Sequence, residues 1–87
     1  MSIHTHSPAL TAPELCRPTP MRLAPAARAL WRVIDHTGLV VGHLQSVADT
    51  RGTRYRARRF HPDSRVFRDL GDFWSADDAL ECLRYAR

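Results

Sequence analysis

Between residues 51 and 68 stand seven arginines, Arg51, Arg54, Arg56, Arg58, Arg59, Arg65 and Arg68, against one acid, Asp63, a local charge of +6. The whole 87-residue chain carries +4 at pH 7, so the basic charge is one block and the rest is slightly acidic. A guanidinium is a planar, permanently charged fork that meets a phosphate or a guanine edge with two hydrogen bonds. The chemistry this block offers is polyanion capture. All 13 basic residues are arginine, a bias produced either by a GC-rich coding sequence or by a need for bidentate contacts.

Other chemistry finds little footing. His4, His6, His36, His43 and His61 are scattered with no H-x-x-x-H spacing, and Cys16 and Cys82 lie far apart with no C-x-x-C, so neither a metal site nor a disulfide framework is predicted. After removal of Met1, Ser2-Ile3-His4 has the form of a square-planar Cu(II) or Ni(II) chelate, which nothing marks as more than incidental. Cys82 falls near the apolar stripe of a helix, where a small buried hydrophobe is expected rather than a nucleophile. There is no glycine-rich phosphate loop. Phe60, Phe67 and Trp74 have faces on which bases stack, but a core this small needs its aromatics for packing. These readings predict a non-enzymatic protein without cofactor or metal.

The elements that must position the arginines follow from periodicity. Residues 53–60 alternate with period two, setting Arg54, Arg56 and Arg58 on one face of a strand and Tyr55 and Ala57 on the other. Residues 30–35 and 39–45 read as a hairpin through His36-Thr37-Gly38, and a polar loop ends in Thr50-Arg51-Gly52. After a turn over 61–64, residues 65–70 form the last strand. A helix starts near Ser75: the hydroxyl stands three residues before Asp78, as in a capping box, and Phe73 and Trp74 can staple its entrance. Ala76, Ala79, Leu80 and Leu83 make its apolar stripe, and Asp77, Asp78 and Glu81 followed by Arg84 and Arg87 suit its dipole.

Five of the six prolines fall before residue 26, so residues 1–28 are predicted to be a disordered Pro-rich arm and residues 29–87 a ββββα domain. The fold class is α+β: an antiparallel three- to four-stranded sheet packed on one C-terminal helix, with Ala79 against Ala57. No apolar run approaches the roughly 18 residues that cross a membrane, and no basic-then-apolar leader opens the chain, so a cytoplasmic location is expected, nucleoid-associated if the protein binds DNA.

Tyr55-Arg56-Ala57, Arg65-Val66-Phe67, the run from Leu70-Gly71-Asp72-Phe73-Trp74 to Ala79, and Tyr85-Ala86 resemble the AP2-type DNA-binding domain and its relatives at the N-termini of phage and transposon integrases. The resemblance covers roughly residues 38–86 and implies a three-stranded antiparallel sheet backed by one helix, the sheet laid in the major groove of DNA. Residue by residue it carries over to Arg54, Arg56 and Arg58 on the central strand, and to Arg65 and Phe67 on the last. The stretch 41–45, where the family has an arginine-rich strand, contains no arginine. With Arg51 added from the basic block, the expected contact set is Arg51, Arg54, Arg56, Arg58, Arg65 and Phe67 on duplex DNA, with Arg17, Arg22 and Arg28 of the arm ordering on contact. Two other partners suit the same charge: RNA, or an acidic protein docked on the basic face or on an edge strand.

Overall fold

The computed structural model describes residues 12–86. Five strands, β1 (Arg22–Ala27), β2 (Leu30–Ile34), β3 (Val40–Asp49), β4 (Gly52–His61) and β5 (Val66–Phe73), form an antiparallel meander in the order β1-β2-β3-β4-β5, followed by helix α1 (Ala76–Tyr85). The α+β class and the single C-terminal helix are as the sequence predicts. The strand count is five.

Each turn has a chemical cause. Between β2 and β3, Asp35 Oδ1 accepts from the Thr37 amide at 2.9 Å, the Thr37 hydroxyl at 2.6 Å and the Leu39 amide at 3.1 Å, while Gly38 takes a φ of 91°. The same donors, Thr37 first, hold the Asp35 carboxyl below its ordinary range. Between β3 and β4, Asp49 lies opposite Gly52, so the expected polar loop contracts to the turn residues Thr50 and Arg51 and both strands reach 10 residues. The reason is that 46–49 continue the pleat, with Ser46 opposite Tyr55 and Val47 opposite Arg54.

The helix covers one face of β3, β4 and β5. Val33, Leu44 and Ala57 from the sheet meet Ala76, Ala79, Leu80 and Leu83 from α1, with Met21 completing the cluster. Ala57 and Ala79 are both wholly buried, the close approach predicted from their size. Burial of a leucine such as Leu83 contributes roughly 1.5–3 kcal/mol. Gly42 on β3 is required by the same closeness, because a Cβ there would overlap the Arg58 carbonyl oxygen and stand 2.8 Å from Leu83 Cδ2. At the helix start, the Ser75 hydroxyl accepts from the Asp78 amide at 3.1 Å.

One prediction is corrected by β1. Residues 22–28 do not belong to a disordered arm: Arg22–Ala27 pairs with β2, Leu23 packs against the core and Met21 lies inside it. Pro25 is tolerated because β1 is an edge strand, with a register shift immediately after it. Upstream, the amides of Cys16 and Arg17 donate to the Asp77 carboxylate at 3.0 Å, and Arg17 Nη2 reaches Asp78 at 2.6 Å. The chain before β1 is thus tied to the first turn of α1. Residues 1–11, including Ser2-Ile3-His4, and Arg87 lie outside the described residues. No helix among the described residues is long and apolar enough to cross a membrane.

Candidate nucleic-acid interface

Pleating divides β4 as its sequence dictates. Ala57 points into the core beneath α1, so Arg54, Arg56 and Arg58 stand on the opposite, uncovered face. Register then assembles their neighbours. Arg32 of β2 lies opposite His43 of β3, His43 opposite Arg58, and Arg58 opposite Asp69 of β5, a row across four strands. The next row runs Leu30, Gln45, Arg56, Asp72.

The three arginines are not free. Arg56 meets Asp72 through Nε to Oδ1 at 2.8 Å and Nη2 to Oδ2 at 3.2 Å, Arg58 meets Asp69 through Nε at 2.8 Å, and Arg54 lies 3.6 Å from Asp49. The Arg56 fork holds the Asp72 carboxyl below the usual carboxylate range, and Asp72 in turn raises Arg56. The pairing depends on an irregularity in β5. Residues 69 and 72 are three apart and in a regular strand would face opposite sides, but the register shifts between Ala57 and Arg58: Gly71 faces Ala57, Asp69 faces Arg58, and Leu70 is the extra residue. Gly71, at φ 144°, supplies the backbone conformation that other residues rarely adopt. The acids were visible in the sequence, but their common face was not.

The pairing leaves donors for a ligand. Asp69 takes only Nε of Arg58, and Asp72 leaves Nη1 of Arg56, so N–H groups remain on both without a partner among the described residues. Counting Arg32, Arg51, Arg54, Arg56 and Arg58 against Asp49, Asp69 and Asp72, the face carries a net charge of +2 rather than the +6 of the linear block.

Aromatic side chains close the two ends of the row. At one end His43 stacks on Phe67 with ring centroids 4.2 Å apart, Phe60 tilts against Phe67 at 5.0 Å and Arg58 lies over Phe67 at 5.6 Å. Burial first, then Arg58 and Arg32, hold the His43 imidazole below its ordinary pKa. At the other end, Trp74 is half exposed and lies beneath two guanidiniums, Arg54 at 4.9 Å and Arg51 at 5.4 Å from its ring centre. Trp74 therefore does not staple the helix, the expectation from its position. Phe73 alone packs inward there, and Trp74, one residue on, is turned to the arginine face.

Of the expected contact residues, Arg51, Arg54, Arg56, Arg58 and Phe67 gather on or beside this face. Arg65 does not: it sits in the β4–β5 turn with φ 56°, its amide donating to the His61 carbonyl at 2.7 Å, and precedes the strand it was expected to begin. Arg59 faces α1, where Nη1 donates to the Leu83 carbonyl at 3.4 Å. Arg32, His43 and Gln45 are the additions; their signal was alternation within 30–34 and 39–45, which fixes a shared face once the hairpin register is known. Among the described residues no three His, Cys, Asp or Glu side chains cluster as metal ligands. Compared with protein families, characterised proteins and solved structures, the chain matches none.

Proposed function

We propose that this is a non-enzymatic nucleic-acid-binding domain that contacts duplex DNA through the uncovered face of its sheet. The observation that carries the reading is the co-facial set Arg32, Arg54, Arg56 and Arg58 on a regular sheet surface, with the helix on the other side. Same-face residues along β4 are about 7 Å apart, a spacing on the scale of a sugar–phosphate backbone. Five strands span about 19 Å at their usual separation, wider than the roughly 12 Å major groove, whereas three span about 10 Å. In this reading β3, β4 and β5 enter the groove, as the AP2-type resemblance implies, and Arg32 on β2 meets the flanking phosphates.

The test is duplex affinity as a function of salt. Phosphate meeting only the two uncompensated charges gives a log–log slope of about −2, and phosphate meeting all five arginines, with Arg54, Arg56 and Arg58 drawn off their carboxylates, gives about −4 to −5. Absence of binding, or binding indifferent to salt, refutes the proposal. Competition by duplex RNA distinguishes RNA as the ligand.

One observation favours a second reading, a protein-interaction module. Leu39, Val40 and Val66 are exposed and fall at the same end of the sheet, since the start of β3, the end of β4 and the start of β5 meet there. Val40 and Val66 share the parity of Gly42 and His61, away from the arginines, so a protein partner lying along the β5 edge at that end, rather than on the arginine face, would bury them. No chemical shift change at Arg54, Arg56 and Arg58 with any nucleic acid, together with a protein complex lost on Val66→Asp, selects this reading.

A further inference from the structure

We infer that Trp74, contacted by Arg51 and Arg54, is a stacking site for an unpaired nucleobase at the corner of the sheet; the inference rests on the nucleic-acid reading of the same face. An indole half exposed on a small domain is not serving the core, and here it occupies the end of the arginine row where β5 finishes beside the β3–β4 turn. The chain's other tryptophan, Trp31, is 2% exposed, so the two do different work.

The two guanidiniums are held differently. Arg54 is anchored by Asp49 at 3.6 Å, and its Nε is covered and without a hydrogen-bond partner, so its guanidinium is committed to the indole. Arg51 lies in the turn, only its backbone amide being tied to Asp49 at 3.0 Å, and its side chain has no ion pair among the described residues. Arg51 is therefore the displaceable partner. A base takes its place over the indole, and Arg51 turns to the phosphate of that nucleotide. Arg54 keeps the ring oriented throughout. Stacking of this kind is sequence-tolerant, because every base has a π-face, and takes unpaired bases, because a paired base is already stacked in its duplex. Two guanidiniums beside the ring also make the site attractive to the anionic strand that carries the base, which an exposed aromatic alone would not be.

The experiment uses the whole chain and three probes: oligo(dT) of about ten nucleotides, the RNA of the same sequence, and a blunt duplex. Tryptophan fluorescence should be quenched by oligo(dT) and not by the blunt duplex, while anisotropy of labelled probes reports binding of each. Trp74→Leu should weaken oligo(dT) binding about tenfold or more, leaving duplex affinity within about twofold. Trp74→Phe should retain most of the affinity and abolish the quenching, and Arg51→Ala should weaken oligo(dT) binding with the Trp74 signal kept. A preference of the RNA over the DNA strand identifies which polymer supplies the base. Oligo(dT) binding unchanged in Trp74→Leu, or saturated binding without quenching, overturns the stacking site while leaving the duplex reading intact. Failure of every probe to bind overturns both.

Discussion

Arg56 and Asp72 lie directly opposite one another on β4 and β5 and share two hydrogen bonds, of 2.8 and 3.2 Å. Asp69 does the same for Arg58 with one. Both carboxylates face outward, so an approaching phosphate must compete with them. The double variant Asp69→Asn, Asp72→Asn should bind duplex more tightly at low salt and show a slope steeper by about 2, since two charges are uncovered. Equal or weaker binding would mean that the carboxylates position the arginines rather than occupy them. Equilibrium titrations at several salt concentrations decide the sign.

His43 adds a pH dependence. Its imidazole is held below the ordinary value of about 6.5 by burial and by Arg58 and Arg32, so the unfolded chain takes up the proton first as pH falls. Its contribution to stability is full above about pH 6.5 and is lost as pH falls through the folded value. A phosphate seated on Arg32 and Arg58 reverses the local field and favours the imidazolium. Affinity should therefore rise as pH is lowered below about 6.5, with up to one proton taken up per complex. His43→Phe, which keeps a ring on Phe67, should flatten that profile; an unchanged profile in the variant removes His43 from the interface.

Asp77 fastens the chain preceding β1. Its carboxyl is held low, first by the Cys16 amide and then by that of Arg17. A depressed carboxylate stabilises the fold above its unfolded value, about 3.8, and the stabilisation is lost as pH falls through the folded value. Asp77→Asn should lower the Tm at pH 7, and the gap to the parent should narrow below about pH 4. In hydrogen exchange the amides of Cys16 and Arg17 should be slow in the parent and fast in the variant. If those amides exchange freely in the parent, the contact does not persist in solution.

Gly42 is the glycine with least room for a side chain. Even one methyl group there overlaps the Arg58 carbonyl and crowds Leu83, so β3 and β4 must part or α1 must lift. Gly42→Ala should cost at least the upper part of the roughly 1–3 kcal/mol typical of overpacking, read by urea denaturation. A companion Gly38→Ala meets no atom and costs only the strain of its φ of 91°.

The hairpin over 30–45, the split faces of 53–60 and the capped helix were legible because each rests on local signals: alternation, a turn residue, an N-cap hydroxyl. Strand β1 was not legible. Its one proline, Pro25, continues a Pro-rich stretch that resembles a linker, and only the partner strand's register reveals that an edge position tolerates it. The arginines' outward direction followed from Ala57, yet their pairing with Asp69 and Asp72 did not, because it depends on an extra residue at Leu70 that alternation alone does not disclose. Trp74 was misread for a related reason: the helix entrance is secured from outside by Cys16 and Arg17 on Asp77, which frees the indole from that task.

The extra residue at Leu70 also sets the polarity of everything that comes after it. Were Leu70 instead drawn into register opposite Ala57, Gly71 would fall opposite Arg56 and Asp72 opposite Tyr55, so Asp72, Phe73 and Trp74 would exchange sides relative to Asp69. Arg56 would surrender its carboxylate, and the phenyl ring that seals the core would trade places with the indole outside. The looping-out of one residue thus acts as a parity bit for the far end of the hairpin, and the start of the helix inherits its setting.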